Sequence, residues 1–170
     1  MDSDPTSALL ERDKSADSII QRHVVYTMLT GGIPIPWLDL VAASAVQLDL
    51  LKQLATYYSV DFDAQAARAF VTSAGTALAG LAAGRAGASF LKAIPGVGWI
   101  AGGVGQAVLA GASTYAVGNL VKRLFREGKG LDELTAQVMR DELAGYFAKG
   151  QQVARSLVGN TKSRPGGDGA

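Results

Sequence analysis

The sequence predicts an all-α fold, a bundle of about five helices with a central Gly/Ala-rich hydrophobic hairpin, and three observations predict it. Apolar residues recur every three or four positions along most of the chain, the spacing of one helix face. Small residues stand four apart in two long rows, Thr76, Gly80, Gly84 and Ala88 in one and Gly98, Gly102, Gln106, Ala110, Thr114 and Gly118 in the other. From Ala93 to Val121 the chain runs for 29 residues without a charge.

Ser18 followed by Gln21 fits a capping box, and Ile20, Val24 and Met28 follow at spacing four, so a first helix runs to about Leu29. The helical pattern traces back as far as Asp4-Pro5. Pro34 and Pro36 then fix φ and push the residues before them into extended conformations, which breaks the helix across Gly31-Gly32-Ile33-Pro34-Ile35-Pro36. A second helix restarts at Pro36 or Trp37. Its stripe of Trp37, Val41, Leu48, Leu51, Ala55 and Tyr58 keeps the spacing of a packed face, with Ser44 its one polar member. Asp61 or Asp63 caps a third helix through Phe70 to about Leu91. Lys92 to Gly96, containing Pro95, turns into a fourth helix that reaches Val121. A fifth, from Leu131 to about Val158, is amphipathic through Leu131, Leu134, Val138, Leu143, Tyr146 and Phe147. The expected organisation is an N-terminal extension over 1–17, one helical domain over 18–158 with the hairpin at about 70–121, and a disordered tail over 159–170.

Composition excludes several classes. One domain is the default for 170 residues. Sixteen Lys and Arg against 15 Asp and Glu leave no excess of positive charge to neutralise phosphates, so no nucleic-acid partner is expected. Charge is uneven all the same, with a net of −4 over residues 1–68 and +3 over 122–170, and only Arg85 and Lys92 between. Zero cysteines exclude disulfides and thiolate metal sites. The first residues, MDSDPTSALLERDKSADS, show no basic stretch followed by an apolar one, so no secretory signal is expected and the bulk of the chain is placed on the cytoplasmic side.

The third and fourth helices lack bulk. Rows of Gly and Ala four apart form ridges that let two backbones approach closely, and helix-interior glycine costs about 1 kcal/mol relative to alanine, so close pairing is needed to sustain them. A helix from Pro95 to Val121 is about 39 Å long, enough to cross a bilayer core. Its eight Val, Ile and Leu residues from Val97 onward contribute only about −2.4 to −4.8 kcal/mol to insertion. Arg85 brings the segment from Phe70 to Leu91 close to zero. Neither span inserts alone, whereas a packed hairpin would, with Lys92 on the far side and Lys122, Arg123, Arg126 and Lys129 on the cytoplasmic side. The alternative is a buried hairpin in a soluble bundle or oligomer.

Several short motifs occur in a characteristic order: Ile19-Ile20-x-Arg22-His23, Gly32-Ile33-Pro34-Ile35-Pro36-Trp37-Leu38-Asp39, Gln47, Leu54-Ala55-x-Tyr57-Tyr58-Ser59-Val60-Asp61, Ile94-Pro95-Gly96 and Thr114-Tyr115-Ala116-Val117-Gly118. Over about residues 15–125 the chain resembles the YcjF-like domain of unknown function. That resemblance implies a helical fold, a membrane setting and a GTPase context, and it implies no catalytic residues. Ser59 departs from it, standing where the family commonly has glycine. No GTPase domain lies within these residues, so the GTPase that the resemblance implies acts in trans.

The chemically suggestive residues have plain readings beside sharper ones. Gly96-x-Gly98-x-x-Ala101 follows Ala-Ile-Pro rather than a strand and lacks an acidic residue about twenty positions on, so it is not expected to bind a dinucleotide. No Gly-x4-Gly-Lys-Ser/Thr occurs, and no cofactor is expected. His23 is the sole histidine, without carboxylates at ligand spacing, and reads as a packed or hydrogen-bonded residue. Asp39 falls in a first helical turn, where the helix dipole favours it. Arg85 is a lone cation in an apolar helix and would pair with Asp39, Asp49 being the other acid within reach, or lie at an oligomer interface or on the surface. Ile33-Pro34 before Trp37 and Ile94-Pro95 before Trp99 read as a vestigial duplication or as coincidence.

These readings combine into one expectation: a non-enzymatic, membrane-associated helical module in the cytoplasmic membrane, termini on the cytoplasmic side, self-associating and acting with a GTPase in trans. Membrane lipid and a second copy of the chain are its other partners. The interaction candidates are Pro34, Pro36, Asp39, Gly80, Gly84, Arg85, Pro95, Gly98, Gly102, Gln106, Thr114, Tyr115 and Gly118. The alternatives are a soluble helical homo-oligomeric scaffold and a channel with Arg85, Gln106, Thr114 and Asn119 along its pore.

Overall fold

A computed structural model describes the backbone of residues 5–30, 36–86 and 98–162, and the side chains of residues 10–29, 44–81 and 104–160. Among the described residues there are five α-helices: α1 Pro5–Thr30, α2 Pro36–Tyr58, α3 Ala64–Ala86, α4 Gly98–Arg126 and α5 Ala136–Lys162. The all-α expectation therefore holds. Pro5 and Pro36 open α1 and α2, as suits a residue with no N–H to leave unpaired. Ser18 is not the start of α1: its hydroxyl donates back to the Lys14 carbonyl at 3.0 Å, inside the helix.

The later helix ends have visible causes. Asp63, rather than Asp61, caps α3, its Oδ1 accepting from the N–H groups of Gln65 at 2.6 Å and Ala66 at 3.1 Å. Leu131–Glu133 forms a short 3₁₀ turn in which Glu133 accepts from the Gly130 N–H at 2.9 Å, so α5 begins later than the apolar pattern suggests. Two helices close with the same Schellman geometry. At the end of α2, the N–H of Val60 reaches the Ala55 carbonyl at 2.9 Å and that of Ser59 reaches Thr56 at 3.3 Å. At the end of α4, Lys129 reaches Leu124 at 3.0 Å and Gly128 reaches Phe125 at 3.1 Å.

α4 lies at the centre, packing chiefly on α5 and α1 and then on α2. α3 packs more on α5 than on α4. The core is continuous, built from Ile20 and Val24 of α1, Leu50, Leu51 and Leu54 of α2, Phe70 and Leu78 of α3, Val117, Leu120 and Val121 of α4, and Leu143 and Phe147 of α5. At about 1.5–3 kcal/mol per fully buried large side chain, these residues supply the main stabilisation.

This packing corrects the expected hairpin. Small residues do permit close approach, but the chief neighbours of α4 are α5, α1 and α2, with α3 touching it least. A Cβ added at Gly118 would lie 2.9 Å from Ile20 and 3.2 Å from Leu50; one at Gly111 would meet Met28 at 2.7 Å and Ala154 at 3.4 Å. Gly150 of α5 sits on α4, where a Cβ would lie 2.8 Å from the Ala112 carbonyl oxygen. Gly75 and Gly80 of α3, in contrast, have no atom within 4 Å of a Cβ position. Among the described residues, the two small-residue rows do not face one another.

The membrane reading is overturned as well. Among the described residues no helix is long and apolar enough to cross a membrane. α4 has the length, at 29 residues, but Gly, Gln106, Ser113, Thr114 and Asn119 dilute its apolar character. Several of its larger side chains, Val108, Val117, Leu120 and Val121, are spent on the core. The expected membrane-associated module, its transmembrane helices and its place in the cytoplasmic membrane rested on that crossing and fall with it.

Candidate functional site

The seam between α1 and α4 holds most of the polar chemistry. The two helices run antiparallel, Asp13 lying beside Arg126, Asp17 beside Lys122 and Thr27 beside Thr114. Asp13 and Asp17 are four apart on α1, and Lys122 and Arg126 four apart on α4, so each pair lies along one helix face. The resulting bridges span 3.0 Å for Arg126 to Asp13 and 2.7 Å for Lys122 to Asp17. Arg123 turns the other way, donating to Glu142 of α5 at 2.6 Å, and Lys129 pairs with Glu127 at 2.7 Å. The basic run at the end of α4 is thus engaged by acids of the same chain, which holds the Glu127 carboxyl below the usual carboxylate range and raises the Lys129 ammonium.

Toward the opposite end of the seam the polar groups are buried. The Thr114 hydroxyl donates to the Thr27 hydroxyl oxygen at 2.9 Å, and Thr27 donates onward to the His23 carbonyl at 2.7 Å. His23 itself is buried, with Nδ1 2.8 Å from the Ile19 carbonyl and Nε2 3.0 Å from Asp49 of α2. Both partners accept, so the ring satisfies the two together only when it carries two protons. Gln53 donates to the same Asp49 oxygen at 2.8 Å. His23 is therefore the hydrogen-bonded packing residue that its isolation in the sequence suggests.

The expected interaction residues scatter. Thr114 and Gly118 are buried on the seam and Tyr115 is half-buried, while Gln106 and Gly80 are exposed. Asn119 donates to the Tyr115 carbonyl of its own helix at 2.9 Å. Gln106 is exposed, Thr114 is buried against Thr27 and Asn119 turns back on its own helix, so the three do not line one surface of this chain. Pro34 and Pro95 lie outside the described residues; Pro36, Asp39, Gly84, Arg85, Gly98 and Gly102 fall in helices whose side-chain surroundings there are not described. The proposed Arg85 to Asp39 pair lies outside them too, and the second acid, Asp49, is taken by His23.

Two features escaped sequence reasoning. The matched spacing of Asp13 and Asp17 against Lys122 and Arg126 was the available signal for the seam. No comparable signal marks Tyr58, whose hydroxyl oxygen is buried and has no hydrogen-bond partner. Burial, then the nearby Asp13 carboxylate, pushes this phenol up to about 12. Among the described residues no cluster of His, Cys, Asp and Glu could hold a metal.

Large apolar side chains also remain exposed, Leu10 and Val138 toward the Asp13–Arg126 end of the bundle and a larger group toward the other end. Leu29 is 69% exposed and Tyr26 54% on α1, and Val104 is 42% and Leu109 38% on α4. Their common end follows from packing: Leu29 is one residue past Met28, which covers Gly111, and Leu109 is two residues before it.

Fold and seam together define an all-α module, five helices among the described residues, in which ion pairs and a buried threonine pair join α4 to α1 and α5. The chain belongs to the family described as Domain of unknown function (DUF697), which matches residues 6–152. A relative from Magnetospirillum gryphiswaldense, named magnetosome membrane protein 22, is 33% identical over 154 residues, covering 90% of this chain and 79% of the relative. No solved structure matches the chain. The resemblance to a domain of unknown function stands at that level, and neither match speaks of a GTPase.

Proposed function

We propose that the chain is a non-enzymatic helical scaffold that self-associates, with the apolar end of the bundle as the contact between copies. The observation that carries this is the exposure of Tyr26, Leu29, Val104 and Leu109 toward one end of the bundle, away from the ion pairs that join Asp13 to Arg126 and Asp17 to Lys122. Exposed apolar side chains gathered in one region mark interaction surfaces more than single scattered ones do. The relative's name describes a membrane protein. A membrane context reached through a partner protein is compatible with a scaffold whose described helices do not cross a bilayer. A GTPase acting in trans is the partner class that the resemblance implies, and its support is the resemblance alone.

Sedimentation velocity over a hundredfold range of concentration tests the reading. The wild-type chain sediments as an oligomer, and Leu29→Glu combined with Leu109→Glu shifts it to the monomer with unchanged helix content. A wild-type monomer at every concentration overturns self-association, and an oligomer indifferent to the two substitutions overturns the proposed contact.

A further inference from the structure

A cleft of about 200 Å³ opens where the first half of α1 meets the ends of α2 and α4, lined by Arg12, Asp13, Tyr58, Phe125, Arg126 and Gly128. Two hydrogen-bond donors there have no acceptor among the described residues. The Tyr58 hydroxyl is buried and unpartnered, a condition rare in folded proteins. Arg12 has no carboxylate partner among the described residues; its guanidinium instead lies 5.6 Å from the centre of the Tyr58 ring. Arg126, by contrast, is engaged by Asp13 at 3.0 Å. We propose that this cleft binds a small organic carboxylate, which Arg12 and the Tyr58 hydroxyl would hold and the Tyr58 and Phe125 rings would flank.

Charge and size narrow the class. The lining carries two arginines and one aspartate, a net of one positive charge, which balances a monoanion, whereas a phosphate dianion would meet the Asp13 carboxylate. A planar guanidinium beside a phenolic O–H suits the two oxygens of a carboxylate. The phenol stays a donor through neutral pH because burial pushes it up to about 12. The volume falls below the 300–1,000 Å³ usual for drug-sized ligands. The occupant is therefore a small acid with an apolar body. This inference is independent of self-association, since the cleft lies at the Asp13–Arg126 end of the seam and the residues proposed for contact between copies, Leu29 and Leu109 among them, lie toward the other.

Benzoate is the probe, titrated into the full chain and followed by amide NMR. The expected result is saturable binding with a Kd on the order of 1 mM, within reach of about nine non-hydrogen atoms. Shifts should centre on the Arg12, Tyr58 and Gly128 amides. Tyr58→Phe keeps the ring and should weaken binding about tenfold by removing one hydrogen bond to a charged acceptor, and Arg12→Gln should abolish it. Neutral benzamide should not bind. Equal binding of benzamide, tighter binding of inorganic phosphate, shifts centred elsewhere, or no saturation by benzoate would each overturn the assignment. The wild-type shift map keeps the test decisive even where a variant fails to fold.

Discussion

Replacing Ser59 by glycine should stabilise the protein, and the reverse change at Gly128 should destabilise it. Ser59 is the one non-glycine residue with positive φ among those described, at 57°, and Gly128 occupies the same place at the end of α4 with φ 71°. Both close a helix through the same two backbone hydrogen bonds. Neither change alters packing, because Ser59 is exposed and a Cβ at Gly128 would have no atom within 4 Å. The left-handed conformation costs an L-residue about 1–2 kcal/mol, and the greater freedom of glycine in the unfolded chain returns about 0.4–1 kcal/mol. Ser59→Gly should therefore gain about 1 kcal/mol and Gly128→Ser lose about as much. In urea this shifts the midpoint by about 0.3–1 M at constant slope, and on heating it shifts Tm by about 2–4 °C. A neutral or destabilising Ser59→Gly beside a destabilising Gly128→Ser would show that Ser59 is not held in the left-handed region.

Three further predictions follow from the packing and the charges. Gly150→Ala places a methyl 2.8 Å from a backbone oxygen of α4 and should cost about 1–3 kcal/mol in a thermal melt, whereas Gly145→Ala, with no atom within 4 Å, should gain about 0.5–1 kcal/mol. Thr114→Val keeps the shape but removes the hydrogen bond to Thr27, lowering stability by about 1 kcal/mol in urea, while Thr114→Ser should retain that bond. For Tyr58 the folded state favours the neutral phenol, so its contribution is complete below about pH 10 and is lost as pH rises toward about 12. Tyr58→Phe should flatten the fall in stability over that window, and an unchanged alkaline profile would contradict the burial of the hydroxyl.

The helices themselves were legible because their causes are local. Pro5 and Pro36 at N-termini, Asp63 as a cap and the three-to-four spacing of Ile20 and Val24, of Leu51 and Leu54 and of Leu143 and Phe147 are all properties of short windows. Which helices meet is not local. The capping box at Ser18 satisfied the residue pattern, yet the helix was already under way, since nothing from Pro5 to Asp17 stops it. The start of α5 was missed for the opposite reason: Leu131 and Leu134 continue the apolar rhythm but belong to a turn that Glu133 closes on Gly130. Arg85 and Asp39 looked informative for their type and setting, yet the acids that the described structure pairs with another helix are Asp13, Asp17, Asp49 and Glu142.

The small-residue rows show why the hairpin was the wrong inference from a correct premise. A helix dense in glycine must lie close to something, because its backbone gains little from its own side chains. The row alone does not say what that neighbour is, and α4 is approached from several sides, which makes smallness useful on more than one face. The complement lies in large residues on the partner helices. Ile20 and Met28 are eight apart on α1, close to two turns, and they fill the hollows at Gly118 and Gly111, seven apart on α4. A glycine row matched by large side chains at the same period on another helix indicates knobs seated in hollows. A row matched by a second glycine row would indicate two bare backbones in contact. Both patterns were present in this sequence, and the structure places the first, between α1 and α4, at the centre of the bundle.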